Sequence, residues 1–414
     1  MATTNPYRIP ENDRARSGSL NNKTGSWQGK AEKRPMQVVL IGPSFRYLSG
    51  ISYYTVRLAN ALSRKASVRA VLFRHMLPRK LFPGWKRVGQ NLTAVTFVEG
   101  VDAGELLDWY NPLTWVKAAR VSRCADIVIL EWWTSSVAHM YLAIQALISR
   151  KTPVIIEYHE VVDSLEQSIL PVRIYSRVTG RIVRSLATHF VVHSGADRNL
   201  VMDVYHIPRE KITIIPHALY DQYPVLGKEV ARRNLGITEE TVILFFGLLR
   251  PYKGVKYLIR AFESLPPDVV QSTRLLIVGE AWEDRESLSL AEESPLRDKI
   301  TIVNRYVADS EVPLFFSAAD MLVLPYTRAS QSGVAHIAMA YGLPIIATRV
   351  GGLVEGMSSY AGAFFITPGS VGELKSEILL RMQGKATYPI PGNLTWDSIG
   401  EEWLALCGSL GGNE

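Results

Sequence analysis

Cysteine is nearly absent. The 414 residues hold two, Cys124 and Cys407, so no disulfide framework can form and a reducing compartment is expected. Acidic residues are missing over two long spans. None occurs between Glu32 and Glu99, nor from Gln167 to Ala196. Long apolar runs are missing too. Thr241–Leu249 is only about half of the ~18 residues expected of a membrane span. The first 35 residues are polar and basic, without the apolar stretch of a secretory signal, and are expected to form a flexible tail. Several chemical signatures are also lacking. There is no Gly-x-Gly-x-x-Gly after a strand, which disfavours NAD. No Gly-x-Ser-x-Gly elbow, P-loop or Asp-x-Asp pair at a strand end occurs. No His/Cys cluster has metal-ligand spacing, so no metal and no bound cofactor are expected.

What remains is strongly one-sided charge. The net charge is +7. The first acid-free span carries Arg57, Arg64, Lys65, Arg69, Arg74, Arg79, Lys80, Lys86 and Arg87 among others. Such a surface fits an anionic partner. The loop from His75 to Gln90 alternates these cations with large apolar residues, Phe82 and Trp85 above all. That is the pattern of contact with an anionic lipid surface, where rings enter the headgroup region and cations meet phosphate. The second acid-free span predicts a helix from Gln167 to Leu186 with Arg173, Arg177, Arg181 and Arg184, a second such face. No base-stacking or groove-reading module accompanies the charge, so nucleic acid is not an expected partner.

Apolar runs and helical patterns alternate along the chain. Gln37–Ile41, Val68–Phe73, Val95–Val98, Asp126–Leu130, Val154–Glu157, Phe190–Val192 and Ile212–Ile215 read as strands of a first unit, residues 36–218. Val242–Phe246, Leu275–Val278, Ile300–Val303, Met321–Leu324 and Ile345–Ala347 read as strands of a second, residues 219–392. The alternation with helices predicts an α/β fold of two Rossmann-like domains with parallel sheets. Residues 393–410 form a last amphipathic helix with Trp396 and Trp403, expected to pack back on the first domain.

In such sheets ligands sit at the carboxyl ends of strands, and helix starts bind anions. Met321–Glu355 is the most suggestive stretch: strand, polar loop, helix, strand. Ser330 or Ser332 can cap its helix. Gln331, Ser332 and Gly333 stand at the helix start and His336 one turn in. Arg250 and Lys253, in the loop Gly247–Gly254, suit a diphosphate. Facing them from the first domain are Gly50, His159 and Glu160.

Taken in order, GPSFRYLSGIS, DIVILEWW, YHE, HSGADRNL, KITIIPHALYD, FFGLLRPYKG, LLIVGE, FFSAADMLVLPY and SQSGVAHIAMAYGLPIIATRVGGLVE resemble glycosyltransferase family 4. The resemblance covers nearly all of the chain from Gln37. It implies a GT-B fold, two Rossmann-like domains facing across a cleft. It implies transfer of a sugar from a nucleotide-sugar donor with retention of configuration and no metal. The implied acceptor is lipid-linked or a glycan, polyprenyl or glycolipid in type, reached from the cytoplasmic face of a membrane. Gly50 matches the glycine that approaches the diphosphate, and Lys253 the phosphate lysine. The usual arginine position is Leu248, with Arg250 nearby to take its charge role. His159 matches the histidine near the transferred sugar, and Ser332–Gly333 the donor-binding helix start. The family's Glu-x7-Glu pair falls on Ala329 and Ile337, which leaves donor reading to Gln331, His336 and their neighbours. A sugar-nucleotide-binding scaffold without catalysis is the alternative reading.

Overall fold

The computed structural model describes residues 34–47, 50–76, 95–162, 170–329, 331–384 and 386–412. The loop residues Phe82, Trp85, Lys86 and Arg87, the N-terminal tail and Ser330 lie outside them.

The first half builds one sheet from β1 (Gln37–Pro43), β2 (Ser67–His75), β3 (Val101–Asp108), β4 (Ile127–Trp132), β5 (Val154–Tyr158), β6 (His189–Val192) and β7 (Ile212–Ile214). Its helices are α1 (Gly50–Leu62), α2 (Pro112–Ser122), α3 (Ala138–Leu147), α4 (Leu170–Ser185) and α5 (Gly195–Tyr205). The order is β3-β2-β1-β4-β5-β6-β7, every pair parallel. The central strands read as continuous apolar runs because helices cover both faces. Val95–Val98, read as a strand from its valines, is not one. The edge strand begins at Val101, and its middle, Asp102–Glu105, is exposed. An edge strand with one open side does not need the apolar run that marks a central one.

The second half adds α6 (Lys228–Asn234), β8 (Thr241–Phe246), α7 (Val255–Glu263), α8 (Pro267–Gln271), β9 (Thr273–Val278), α9 (Arg285–Glu293), β10 (Ile300–Val303), α10 (Val312–Ala318), β11 (Met321–Leu324), α11 (Gly333–Ala340), β12 (Ile345–Thr348), α12 (Leu353–Gly356), β13 (Ala363–Ile366) and α13 (Val371–Met382). Its sheet runs β10-β9-β8-β11-β12-β13, again all parallel. The final helix, α14 (Trp396–Gly411), returns to the first half. Trp403 is fully buried there, its indole N–H donating to the Tyr54 hydroxyl of α1 at 3.3 Å, and Gly400 lies on Ala61. The chain is therefore a pair of Rossmann-like domains in the GT-B arrangement.

In each sheet the strand order reverses once, between β1 and β4 and between β8 and β11. Crevices for ligands open at such points.

Candidate active site

Two elements of the second half meet at its reversal point. One is the short turn Arg250-Pro251-Tyr252-Lys253, ended by Gly254 at φ 68°. A Cβ on Gly254 would strike the carbonyl of Pro325 just beyond β11, so only glycine brings the two loops together. Lys253 thereby lies over the Tyr326 ring, its Nζ 3.7 Å from the centroid, and Arg250 over Trp282 at 5.0 Å. Neither cation has a carboxylate partner among the described residues. Arg250 Nε is buried without a hydrogen bond. Burial, aided by the Arg250 charge, lowers the Lys253 ammonium to about 8.

The second element is the start of α11. Ser332 holds the N-cap position, but its hydroxyl does not cap the helix. It lies 3.3 Å from the Tyr326 hydroxyl instead. No side chain caps the first backbone N–H groups of α11, and that of Ala335 turns back to the Ser332 carbonyl. Ile337, one turn into α11, is buried in the core.

Tyr220 joins the two halves. Its hydroxyl donates to the carbonyl of Gly50 at the start of α1 (2.8 Å), and its ring packs on Gly333 at the start of α11. Glu355, from α12, accepts from the N–H groups of Gly195 and of Ala196 (3.1 Å), capping α5 of the first half. Gln331 lies beside Asp197 and helps hold its carboxyl down, although burial dominates and raises Asp197 to about 6.

A different kind of site lies mostly in the first half, with His336 of α11 reaching it from the second. Four of the eight histidines stand in one buried row. Ring centroids are 5.0 Å apart for His159–His193, 5.5 Å for His193–His217 and 4.9 Å for His217–His336. Tyr54 packs on the first three of them at 4.7–5.4 Å. Beneath lie two carboxyls, Glu131 and Glu157, both fully buried. They are direct register partners on β4 and β5. A Cβ on Gly42 of β1 would strike the Glu131 carboxyl, so glycine makes the space for it. Thr55 donates to Glu131 at 2.6 Å. Burial pushes both carboxyls up, Glu131 further raised by Glu157. It pushes all four imidazoles down: His159 and His217 well below the usual range, His193 to about 4 and His336 to about 3. The row is therefore neutral.

The sequence-predicted residues fall in two groups. Lys253, Arg250, Ser332, Gly333 and Gln331 gather at the second half's crevice, with Gly50 reached through Tyr220. His159 and His336 belong to the buried row, and His159 turns Nε2 inward to Glu157 rather than outward. Arg177 and Arg181 are elsewhere, exposed on α4. Sequence reading missed Glu131, Glu157, His193, His217, Tyr54, Tyr220 and Glu355. Only the two-residue spacing of Glu157 and His159 could have signalled part of this.

The model of "Glycosyl transferases group 1" matches residues 227–388, and that of "Glycosyltransferase Family 4" residues 48–223. The chain belongs to glycosyltransferase family 4. Among curated relatives, a D-inositol 3-phosphate glycosyltransferase of Stackebrandtia nassauensis is 28% identical, over 44% of this chain and 44% of its own. A mannosylfructose-phosphate synthase of Agrobacterium fabrum is 29% identical, over 50% of each. The chain thus spans about half the length of the curated relatives it matches. Solved structures share the fold across almost the whole chain. A sucrose-phosphate synthase from Thermosynechococcus elongatus aligns over 92% of this chain and 100% of its own, with a TM-score of 0.68 at 17% identity. HepE from Anabaena, in complex with UDP and glucose, aligns over 90% and 100%, with 0.67 at 17% identity.

Proposed function

We propose that this chain is a retaining glycosyltransferase. It moves a sugar from a nucleotide-sugar donor to a lipid-linked or glycan acceptor in glycolipid or polysaccharide synthesis. The observation that carries this is the cation pair Lys253 and Arg250, half-buried and without carboxylate partners among the described residues, beside a helix start that no side chain caps. A partly desolvated cation without a partner is costly, and a diphosphate would supply the missing charge. The UDP and glucose bound by HepE support a nucleotide-sugar donor.

In this reading the diphosphate lies over Gln331–Gly333. Lys253 and Arg250 take up charge as the bond from the anomeric carbon to the phosphate oxygen breaks, so the departing group needs no metal. The acceptor hydroxyl forms its bond to that carbon from the same face. Its proton passes to the leaving phosphate oxygen, and no protein nucleophile is required. Gly50 lets backbone approach the diphosphate, His336 and Gln331 read the donor, and His159 sits behind the sugar.

The acceptor is membrane-borne, and the protein sits peripherally on the cytoplasmic face. No helix among the described residues is long and apolar enough to cross a membrane. The support comes from α4. Leu170, Ile174, Val178 and Ile182 are 63%, 58%, 57% and 42% exposed, one apolar stripe at four-residue steps. Arg173, Arg177 and Arg181 run beside it and are exposed as well. An apolar stripe edged by cations suits the interface of an anionic bilayer.

A screen of nucleoside diphosphates by thermal shift tests the donor reading, since a ligand of the folded state raises the melting temperature. At least one must stabilise the protein. A transfer assay with the matching sugar nucleotide must then give product with retained configuration. Ala329 and Ile337, apolar where the family carries carboxylates, favour a second reading: a sugar-nucleotide-binding scaffold. Stabilisation by the nucleotide without any turnover would select it.

A further inference from the structure

We propose that Glu157, His159 and His193 form a binding site for one divalent transition-metal cation of the zinc class. The site is separate from the donor crevice and departs from the metal-free expectation drawn from sequence. Nε2 of His159 lies 3.8 Å from Glu157 Oε2, and Nε2 of His193 lies 3.7 Å from Glu157 Oε1. One ligand atom from each of the three residues falls within a 4.8 Å span. Both Glu157 oxygens and both Nε2 atoms are buried, the Tyr54 hydroxyl is the group that reaches the Glu157 carboxyl, and neither Nε2 has a hydrogen-bond partner.

These separations are too long for direct hydrogen bonds. The two carboxyl distances are a few tenths of an ångström beyond those of ligands around a metal, since two atoms bound at 2.0–2.2 Å to a tetrahedral ion stand roughly 3.3–3.5 Å apart. The backbone holds them there. Glu157 and His159 are two residues apart on and just beyond β5, so they share a face. Glu157 pairs in register with Val191 of β6, which sets His193 beside His159 two residues on.

The tautomer of His193 points the same way. Its Nδ1 lies 2.9 Å from the Ile215 carbonyl, which can only accept. Nδ1 therefore carries the proton and Nε2 presents a bare lone pair to the carboxyl. A backbone carbonyl on the far nitrogen is how metal-bound histidines are commonly held. With Glu157 ionised, the bare His193 lone pair faces a carboxylate in a dry core, an arrangement that a cation between them completes. Two imidazole nitrogens and one carboxylate oxygen favour zinc and its neighbours over magnesium or calcium, which prefer oxygen throughout. Such an ion would fix the His159 ring from behind and tie the carboxyl ends of β5 and β6 together.

The test uses the full chain, stripped with EDTA and free of nucleotide, so it stands apart from the donor reading. Calorimetric titration with Zn2+ should give one equivalent. Co2+ should give visible d–d bands of a site with fewer than six ligands. Zn2+ should raise the melting temperature of the unaltered protein. Glu157→Gln and His193→Gln, checked for fold by circular dichroism, should each bind roughly 100-fold more weakly. His75→Gln, which alters the half-exposed partner of buried Asp108 outside the trio, should bind as the unaltered protein does. Absence of stoichiometric uptake, or of the thermal shift, overturns the proposal. So does uptake that survives both glutamine variants or is lost with His75→Gln.

Discussion

The second half of the chain half-buries two cations without anionic partners among the described residues: Lys253 and Arg250, stacked on Tyr326 and Trp282. The first half buries carboxyls and imidazoles without cations among the described residues: Glu131, Glu157, His159, His193 and His217, joined by His336 from the second half. Burial acts in the same physical way on Lys253 and on the carboxyls and imidazoles, moving each of these toward its neutral form. Aromatic rings line both, Tyr326 under the lysine and Tyr54 beside the histidines. Yet the sites ask for opposite guests, an anion in one and a cation in the other. The difference teaches that an unpartnered buried charge is best read by its sign and by what its neighbours can still offer.

The strongest way to break the comparison is to remove the cation. Lys253→Ala should lose on the order of 3 kcal/mol of transition-state stabilisation, more than a hundredfold in turnover, with the fold intact. Steady-state kinetics on any active donor check it, and normal turnover would move the diphosphate elsewhere.

A gentler probe is pH. Lys253 sits at about 8 in the free protein. It is protonated below that value, and an anion favours the protonated form. Nucleoside diphosphate affinity should therefore hold steady below about pH 8 and weaken above it, by up to about tenfold per unit. Lys253→Arg should shift this fall beyond the measurable range, because a guanidinium stays charged. An unchanged pH profile in the arginine variant would detach the lysine from the effect.

Charge of one sign also marks α4, but there it faces water. Arg177→Glu together with Arg181→Glu should reduce binding to anionic liposomes by several-fold per position, about 1 kcal/mol for each cation near the surface. Co-sedimentation that ignores both substitutions would remove the membrane from the account. The smallest effect concerns the joint between the halves. Glu355→Ala removes the carboxylate that caps α5 and should cost about 1 kcal/mol in stability. A melting curve identical to that of the unaltered protein would show the cap to be idle.

Much of the fold could be read from the chain because central parallel strands are short apolar runs. Met321–Leu324 and Ile345–Thr348 stand out for that reason. The edge strand Val101–Asp108 did not, since its exposed middle is polar and contains Gly104. Lys253 and Gly333 were legible because each sits in a local pattern of loop and helix start. The Glu157 trio was not. His193 reaches Glu157 only through the register of β5 on β6, a relation that spacing along the chain does not contain. The same holds for Tyr220, which touches Gly50 and Gly333 from positions far apart in sequence. Ser332 was readable as a helix start, but only the fold turns its hydroxyl to Tyr326.

The most direct measurement is calorimetric binding of a nucleoside diphosphate in EDTA, comparing the unaltered protein with Lys253→Ala. The unaltered protein should bind without any divalent cation, and the variant roughly 100-fold more weakly. Equal affinities, or binding by the unaltered protein only when a divalent cation is restored, would contradict a diphosphate site built from Lys253, Arg250 and the start of α11.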